Sequence, residues 1–528
     1  SAFAQRACVV ATTPAEAAER LRAAESPWKA AHAVAPRQAG VVFMFPGQGS
    51  HYAGMGRGLY ESEAVFRAAV DECLQALGGE AGAALREALF ADDPAGLQPT
   101  AVAQPALFVL GYALAQQWRS LGVEPVALIG HSVGEFVAAA LAGVFSAADA
   151  MRLVARRGAL MQALPAGAML SVGLPAEAVA ARLPAGLAIA AHNAPASCVV
   201  SGPIAAIAAL RTELEAQGAV TRPLQTSHAF HSPMMDPVVA AFEAELRDGG
   251  VVLRAPSLPI VSTLTGQRLE AAQATDPSYW ARHLRETVRF SPALHELQRS
   301  FDGAVLLEVG PRQTLATLAR QHRAKDQPPP VALASLADAP DKETAALRLA
   351  AGRLWALGAT VDTARLAPRT RARRLRLPTY PFERKLFWVD ARPAAATPAP
   401  GTDFASPPPG PRPAPVAVPT VPSPEPAMSV SPAPGHGARR PQLVTRLRGL
   451  VEDLAGVELD AGASFVEQGL DSLQLTQFAL QVKRAFKVNL SFRQLMESLR
   501  TLDALAQHLD EQLPAEALAA AVPAAAPP

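Results

Sequence analysis

Residues 125–140, PVALIGHSVGEFVAAA, indicate the fold class of this chain of 528 residues. An apolar run ends at GHSVG (130–134), and an alanine-rich segment typical of a helix follows at once. This is the G-x-S-x-G pattern of a nucleophile elbow, a sharp turn that holds a serine between a strand and a helix. The glycines permit the tight turn, and the N-terminus of the helix favours developing negative charge. The stretch therefore predicts an α/β fold with Ser132 as a nucleophile.

The composition narrows the possible classes of function. Single hydrophobic cores stop growing at about 250–300 residues, so this chain is expected to form more than one domain. A formal net charge of +1 provides no electrostatic basis for binding nucleic acid or an anionic membrane. Cys8, Cys73 and Cys198 lie far apart and form no metal-binding spacing. We therefore expect no metal site and a reducing, cytoplasmic location.

No segment of the sequence is typical of membrane insertion. No apolar run reaches the roughly 18 residues that a membrane span needs. The first residues, SAFAQR, do not have the pattern of a signal peptide. We therefore expect no membrane association. The chain begins without Met, which indicates either a segment of a longer protein or a processed N-terminus.

Two further stretches bear on a site near the elbow. VVFMF (41–45) predicts a fully buried strand that stops at PGQGS (46–50). This loop could place backbone N–H groups or Gln48 at the end of a neighbouring strand, although an ordinary glycine turn also explains it. A later helical pattern carries Arg156 and Arg157 among apolar residues. Arginine usually lies on a solvated helix face, whereas a buried arginine facing a cavity would bind a carboxylate.

Residues 168–230 predict a subdomain inserted into the α/β unit. Its short strands and two helices follow the order βαββαβ, which is the ferredoxin-like arrangement. Just past its last predicted strand lies SHAFHSP (227–233), whose two histidines form a possible base site. A lone histidine is more often a structural residue with its hydrogen bonds satisfied, so both interpretations stay open at this point.

The distribution of the 48 prolines predicts the domain boundaries. A stretch rich in proline, alanine, valine and serine cannot bury a core and serves as an extended tether. A four-helix pattern follows it. The predicted segments are 1–38, which packs on its neighbours; 39–345, the main α/β domain; 346–390, a linker; 391–438, a flexible linker; 439–514, the four-helix domain; and 515–528, a disordered tail.

A set of motifs resembles one known family. The motifs are PGQGS (46–50), GHSVGE (130–135), ARRGALMQ (155–162), HNAPASCVVSG (192–202), SHAFHSP (227–233), YWARHLRETVRF (279–290), LPTYPFER (377–384) and EQGLDSL (467–473). Residues 1–390 resemble the acyltransferase domain of modular type I polyketide synthases, which is related to the malonyl transferase of fatty acid synthesis. Residues 441–513 resemble an acyl carrier protein. The first 38 residues resemble the end of the linker between a ketosynthase and its acyltransferase.

The resemblance implies a fold and a catalytic dyad. The expected fold is an α/β-hydrolase-like core with the inserted ferredoxin-like subdomain. Ser132 matches the nucleophile that receives the acyl group as an ester, and His231 matches the general base. A backbone carbonyl near His283 is expected to orient the imidazole, with no acidic third member. The N–H groups of Gln48 and Val133 match the oxyanion hole.

The resemblance also identifies residues that bear on the substrate. Arg157 matches the arginine that pairs with the free carboxylate of the extender unit. His228 and Phe230, with Val133 after the nucleophile, resemble malonyl-selecting domains, since Phe230 would narrow the pocket where an α-methyl group lies. Relatives often have proline at the position of Thr287, and this departure bears on the geometry of that loop.

The carrier motif implies one covalent cofactor. Ser472, in EQGLDSL, matches the serine that bears the phosphopantetheine arm. Its place after Asp471 is also typical of a helix N-cap. The two roles are compatible, because the start of a helix both uses and displays the hydroxyl.

These features predict a ping-pong acyltransferase joined to its own acceptor. Malonyl-CoA would acylate Ser132, and the arm on Ser472 would then receive the malonyl unit. The implied partners are malonyl-CoA, a phosphopantetheinyl transferase, and a neighbouring ketosynthase with other synthase domains. The alternatives are an acyltransferase that selects another extender or a starter acyl-CoA, a thioesterase-like hydrolase, and a non-catalytic scaffold.

Overall fold

The computed structural model describes residues 5–23, 29–33, 40–322, 330–366, 440–455, 460–465, 468, 470, 472–486, 488, 490 and 492–512. The predicted linker 391–438, the tail 515–528 and the motif LPTYPFER (377–384) lie outside the described residues.

The strands, in chain order, are β1 (Gln5–Val9), β2 (Lys29–Ala33), β3 (Val41–Phe45), β4 (Pro125–Gly130), β5 (Ala168–Val172), β6 (Ala188–Ala194), β7 (Ser197–Gly202), β8 (Thr221–Pro223), β9 (Ile260–Val261), β10 (Val305–Glu308) and β11 (Ala332–Ala334).

The helices up to residue 356 are α1 (Pro14–Arg22), α2 (Arg57–Ser62), α3 (Ala64–Ala76), α4 (Gly79–Phe90), α5 (Thr100–Ser120), α6 (Gly134–Leu141), α7 (Ala147–Gln162), α8 (Ala176–Ala180), α9 (Ile204–Ala216), α10 (Asp236–Asp248), α11 (Ala271–Ala274), α12 (Pro277–Arg285), α13 (Phe290–Ser300), α14 (Thr314–Arg320) and α15 (Glu343–Ala356). The carrier segment contains α16 (Arg440–Ala455), α17 (Ser472–Phe486), α18 (Phe492–Glu497) and α19 (Leu502–Gln512).

A parallel sheet forms the centre of the first domain, in the order β11-β10-β3-β4-β9. Strand β3 is buried along its whole length, as the apolar run VVFMF predicts, because helices cover both faces of a parallel sheet. Phe45 pairs with Gly130, so the loops after β3 and β4 leave the sheet side by side. The α/β prediction is confirmed.

The glycines of the elbow are required by close backbone contacts. A Cβ atom on Gly134 would lie 2.1 Å from the carbonyl oxygen of Phe45, and one on Gly130 would lie 2.1 Å from the amide nitrogen of Glu135. Ser132 itself has φ +52°, in the left-handed region that side chains rarely adopt. The turn therefore presents Ser132 at the carboxyl end of β4, directly before α6.

The inserted subdomain forms a separate antiparallel sheet in the order β6-β7-β5-β8, with α8 and α9 between its strands. Its own apolar cluster includes Leu170, Val200 and Leu210. Strand β6 lies at one edge, where Ala191 also forms an isolated bridge with Val288 of the main domain. This edge strand is therefore shared between the subdomain and the main domain.

Strands β1 and β2 pair antiparallel near helix α15. The Arg6 guanidinium lies 5.0 Å from the centre of the Trp355 ring and donates to the Trp355 carbonyl at 2.7 Å. Helix α15 runs through the predicted boundary between residues 345 and 346, and its Leu347 and Leu354 belong to the main core. The core of the first domain thus extends past residue 345, and it includes Ala359 beyond the end of α15. The alanine-rich strands β2 and β11 were not expected, because their composition is not typical of strands.

The carrier helices enclose an apolar cluster of their own. Leu443 and Leu447 of α16, Leu475 of α17 and Leu505 of α19 are fully buried within it. Leu443 and Leu447 are four residues apart, the spacing that places two side chains on one face of a helix.

Glu308, on β10, is a fully buried carboxyl group. Its Oε2 accepts a hydrogen bond of 2.8 Å from the Ala316 amide in α14, whereas Oε1 has no partner among the described residues. Burial raises the pKa of Glu308 to about 8, although the backbone amides of α14 and the Arg320 guanidinium act in the opposite direction.

We expect Glu308 to lower the free energy of unfolding as the pH rises from about 4.5 to about 8. The unfolded chain ionises this carboxyl near 4.5, whereas the folded chain keeps its proton until about 8, so ionisation favours unfolding across that window. Glu308→Gln stays neutral and should lose less thermal stability than the wild type between pH 6 and pH 9. Thermal melts of both proteins, with Glu87→Gln as the exposed control, measure the difference. Parallel profiles for the wild type and Glu308→Gln would contradict the assignment.

Candidate active site

Ser132 and His231 lie in hydrogen-bond contact although 99 residues separate them in the chain. Ser132 Oγ is 2.8 Å from His231 Nε2, and His231 Nδ1 is 2.8 Å from the carbonyl oxygen of Glu286. A carbonyl only accepts, so Nδ1 carries the proton and Nε2 is free to accept from the serine hydroxyl. His231 also has a positive φ, +57°. Both members of the pair are thus held in strained backbone conformations.

The surroundings of His231 keep its imidazole neutral. Burial is the largest cause that lowers the pKa of His231 well below 6.5, followed by the positive charge of Arg157 and the proximity of His283. The hydrogen bond to the Glu286 carbonyl acts in the opposite direction and stabilises the imidazolium. A neutral imidazole at pH 7 can accept a proton from Ser132.

The carbonyl that orients His231 belongs to Glu286, three residues after His283, so the expected region is correct although His283 itself does not supply the carbonyl. His283 is buried on α12, where its Nε2 lies 3.4 Å from Glu135 Oε2. Its ring therefore faces the first turn of α6. The carbonyl of Glu286 is available because that residue follows the last turn of α12, where helix carbonyls lose their intrahelical partners.

Glu135 forms a buried polar network behind the nucleophile. Its Oε2 accepts from the Thr263 amide at 2.8 Å and from the Thr263 hydroxyl at 2.6 Å, and its Oε1 accepts from the Tyr279 hydroxyl. Burial would raise the pKa of Glu135, but His283 and these hydrogen bonds outweigh it, so the pKa is lowered. The network joins the start of α6 to α12 and to the segment after β9.

Arg157 is fully buried beside the nucleophile, without a carboxylate partner among the described residues. Its Nη1 donates to Gln104 Oε1, and its Nη2 lies 3.5 Å from Ser132 Oγ. Burial lowers the pKa of Arg157 to about 9. Its neighbour Arg156 lies on the surface, 3.3 Å from Glu245. A buried cation without a counter-ion next to a nucleophile can accept the carboxylate of an acyl group.

The loop after β3 lies against the nucleophile. A Cβ atom on Gly47 would lie 2.8 Å from the carbonyl oxygen of His131 and 3.4 Å from Ser132 Cβ, so only glycine permits this approach. Within the part of the chain that the structure describes, the amides of Gln48 and Val133 donate to no protein acceptor. Both N–H groups are therefore available to an oxyanion.

Both ring nitrogens of His228 form hydrogen bonds within the protein. Its Nε2 lies 3.0 Å from the Leu164 carbonyl, and its Nδ1 lies 2.7 Å from Ser227 Oγ. Phe230 is buried, with its ring centre 6.0 Å from that of His228. His228 thus connects this loop to the segment directly after α7.

Two polar residues beside the dyad were not identified from the sequence. Gln104, on the buried α5, accepts from Arg157 and directs its own amide to Met161 Sδ at 3.3 Å. Asn193, on β6, lies with its Oδ1 2.9 Å from Nε2 of His131, the residue before the nucleophile. Asn193 lies in the motif HNAPASCVVSG (192–202) and Gln104 lies in none of the motifs, and the directions of both side chains follow from packing.

In the carrier segment, α17 begins at Ser472. A phosphodiester on a residue at the start of this helix of 15 residues lies at its positive end, which fits the charge of a phosphopantetheine group. In the described residues, no group of three or more His, Cys, Asp or Glu residues could hold a metal ion. The described helices also include none that is long and apolar enough to cross a membrane.

The fold and the site together define a class, the α/β enzymes that carry a serine–histidine pair at the carboxyl end of a parallel sheet. The family model described as acyl transferase domain matches residues 42–353, and the one described as phosphopantetheine attachment site matches residues 445–509. The chain belongs to the acyl transferase family and continues into a carrier domain, which bears a covalently attached phosphopantetheine group.

The relatives are modular type I polyketide synthases. The chain is 36% identical over 376 residues to one component of the phenolphthiocerol/phthiocerol polyketide synthase of Mycobacterium tuberculosis (strain CDC 1551 / Oshkosh), and the match covers 71% of this chain and 25% of that protein. The chain thus spans about a quarter of the length of this curated relative.

Two solved structures are similar to the first domain. The acyltransferase domain from the second module of the salinomycin polyketide synthase is 39% identical, with a TM-score of 0.63, over 69% of this chain and 86% of that one. The acyl transferase domain of SpnD, in complex with 2-(pent-4-yn-1-yl)malonyl, is 38% identical, with a TM-score of 0.60, over 66% of this chain and 83% of that one.

Proposed function

We propose that the chain transfers a malonyl unit from malonyl-CoA, through an ester on Ser132, to the phosphopantetheine arm on Ser472. The single observation that carries this proposal is the buried guanidinium of Arg157, 3.5 Å from Ser132 Oγ and without a carboxylate partner in the described part of the chain. A neutral acyl group would leave that cation unpaired, whereas the free carboxylate of malonyl would pair with both of its outer nitrogens.

The first half of the reaction acylates the serine. Ser132 Oγ attacks the thioester carbonyl of malonyl-CoA while His231 Nε2 removes its proton. The amides of Gln48 and Val133 stabilise the oxyanion. The C–S bond then breaks, and His231 returns the proton to the CoA thiolate. Ser132 holds the malonyl ester, and CoA leaves as the free thiol.

The second half uses the same residues in reverse. The phosphopantetheine group supplies the thiol that accepts the malonyl unit. His231 removes the thiol proton, the oxyanion hole again stabilises the addition step, and His231 finally protonates Ser132 Oγ. The tether between the domains raises the effective concentration of this acceptor.

The choice of malonyl rests on Phe230 and on the carboxylate-binding arginine. The buried Phe230 ring, held through His228, would narrow the site against an α-substituent. One methyl group contributes only about 1–3 kcal/mol to such discrimination. The substituted malonyl group in the SpnD complex is consistent with a carboxylate-bearing acyl group in this family of sites. Another extender unit is the competing substrate, and a starter acyl-CoA leaves Arg157 unpaired.

The remaining assignments of partners and boundaries belong to the same proposal. A phosphopantetheinyl transferase modifies Ser472, and a ketosynthase and other synthase domains act with this chain in the cytoplasm. The inserted subdomain is ferredoxin-like, which its element order and strand order β6-β7-β5-β8 support. The carrier is a four-helix domain within residues 439–514, in keeping with helices α16 to α19.

Intact mass spectrometry tests the proposed substrate directly. The full chain, converted to the phosphopantetheinylated form, is incubated with an equimolar mixture of malonyl-, methylmalonyl- and acetyl-CoA. We expect the carrier to gain the mass of one malonyl unit. A methylmalonyl or acetyl gain overturns the malonyl assignment. Equal release of CoA with and without the pantetheine arm, and no mass gain, would instead indicate a hydrolase.

The pH dependence of acylation tests the role of His231. Since burial and Arg157 hold the pKa of His231 below 6.5, the imidazole stays unprotonated and active well into the acidic range. We expect kcat/KM for CoA release from malonyl-CoA to decline only below pH 6.5, with Ser132→Ala as the background. A decline centred at or above pH 6.5 would contradict a buried, neutral base.

A further inference from the structure

We propose that Thr287 is a positioning residue, which anchors the Glu286 carbonyl to strand β6 of the inserted subdomain and thereby aligns His231. This inference rests on the proposed function, because it assigns His231 the role of base. It also gives the inserted subdomain a part in catalysis, as a support on which both members of the dyad are held.

The segment after α12 lies along β6 through three hydrogen bonds. The Thr287 hydroxyl donates to the Ile189 carbonyl at 2.6 Å. The Val288 amide donates to the Ala190 carbonyl, and the His192 amide donates to the Val288 carbonyl, each at 2.9 Å. The Thr287 hydroxyl therefore adds one hydrogen bond to the short parallel bridge between Val288 and β6, on the side nearer to Glu286.

The Glu286 carbonyl lies between two backbone amides, those of Glu286 and Arg289, that are held by hydrogen bonds. On one side, the Glu286 amide donates to Arg282 in α12 at 2.8 Å. On the other, the Arg289 amide donates to the Thr263 carbonyl at 2.6 Å. The peptide between Glu286 and Thr287 contains the carbonyl that accepts from His231. The side chain of Thr287 restrains this peptide through its hydrogen bond to Ile189 on β6.

Irregularities of β6 coincide with its contacts to the site. The pairing of β6 with β7 skips one residue between Ile189 and Ala191 and one between His192 and Ala194. The skipped residues are Ala190, whose carbonyl accepts from Val288, and Asn193, whose side chain meets His131. Bulges release residues from a ladder and redirect them, and they are frequent beside active sites. Strand β6 thus contacts the residue before Ser132 as well as the segment that orients His231.

The hydroxyl of Thr287 is the part of this anchor that a substitution can remove while the shape of the side chain is kept. Valine has the same shape but cannot donate to Ile189, so the peptide that carries the Glu286 carbonyl loses its outer restraint. We expect Thr287→Val to lower kcat/KM for acylation by about 3- to 10-fold, in line with the loss of one hydrogen bond, while KM stays unchanged.

The pH dependence of kcat/KM distinguishes a positioning role of Thr287 from a purely structural one, because a purely structural role would not shift it. Burial disfavours the imidazolium of His231 most, followed by Arg157, His283 and His131, whereas the Glu286 carbonyl stabilises it. A misaligned carbonyl leaves these influences in place and removes the one that opposes them. The acid limb of kcat/KM for Thr287→Val is therefore expected at lower pH than for the wild type.

The experiment compares Thr287→Val, Thr287→Ser and Thr212→Val in the phosphopantetheinylated full chain, by CoA release from malonyl-CoA at pH 5–8. Thr287→Ser keeps the donor and should retain both the rate and the pH profile of the wild type. Thr212 also donates its hydroxyl to a carbonyl, that of Ala208, on an exposed face of α9, so Thr212→Val controls for the exchange itself.

The outcomes separate this inference from the proposed function. A wild-type rate and pH profile for Thr287→Val overturns the inference, as does an equal loss in Thr287→Ser, which would assign the effect to packing. Thermal melts of each variant show whether a lower rate is explained by a lower stability of the fold. A loss of rate explained in that way also counts against a positioning role. Transfer by Ser132→Ala in the same assay would overturn the proposed function instead.

Discussion

Ser132→Ala is expected to abolish loading of the carrier by malonyl-CoA. The hydroxyl is the atom that forms the ester, and no other nucleophile within the described site occupies its place 2.8 Å from His231 Nε2. Loss of a catalytic serine in such a pair lowers turnover by on the order of 10³-fold or more. Intact mass of the phosphopantetheinylated chain after brief incubation with malonyl-CoA measures the loading.

Two other serines provide the controls for this experiment. Ser472→Ala removes the proposed attachment site, so the chain should still form the ester on Ser132 but carry no malonyl unit on the carrier. Ser498→Ala alters an exposed serine of the carrier segment that donates to the Gln494 carbonyl, and should load normally. Loading of Ser132→Ala at the wild-type rate would refute the proposed mechanism.

Arg157→Ala is expected to reverse the substrate preference rather than to remove activity altogether. Breaking a buried ion pair costs about 3–5 kcal/mol, because it leaves an uncompensated charge in the site. In Arg157→Ala the malonyl carboxylate would be the charge left without a partner. We therefore expect kcat/KM for malonyl-CoA to fall by about 10²-fold or more. Acetyl-CoA has no carboxylate and should lose nothing comparable. Rates of CoA release from the two substrates measure the ratio.

Arg156→Ala is the matched control for this substitution. Arg156 is adjacent in sequence but half-exposed, with its Nε 3.3 Å from Glu245. A surface pair of this kind contributes about 0–1 kcal/mol, so the variant should keep the wild-type preference. Arg157→Lys should also weaken malonyl transfer, since lysine lacks the planar fork that binds a carboxylate through two nitrogens. Equal losses for malonyl- and acetyl-CoA in Arg157→Ala would show that the guanidinium does not bind the carboxylate.

The local features of the site were predictable from the sequence because they depend on neighbouring residues. A buried strand, a glycine-bounded turn and a helix in succession predicted the place of Ser132, and continuous apolar runs predicted strands β3 and β4 of the central sheet. The order of elements also predicted the inserted subdomain between about residues 168 and 230. These are properties of short segments, in which backbone conformation and side-chain pattern act together.

The parts of the site that were predicted only approximately or missed depend on contacts between distant segments. The orienting carbonyl is that of Glu286, three residues after His283, because backbone carbonyls look alike in any sequence and the end of α12 selects which one is free. Gln104 and Asn193 reach Arg157 and His131 only after α5 and β6 have packed. Local patterns contain no information about such pairings.

The strand–turn–helix pattern of residues 125–140 was enough to predict where Ser132 lies, at the end of a strand and directly before a helix, since the turn and the helix start are local. The helical pattern around Arg156 and Arg157 did not by itself distinguish the two arginines, and only the family resemblance favoured Arg157. Packing of α7 against the core distinguishes them, because it buries one guanidinium beside Ser132 and leaves the other at the surface with Glu245. The burial of one arginine beside Ser132 is therefore a property of the assembled core, while the turn that presents Ser132 is a property of a single short stretch.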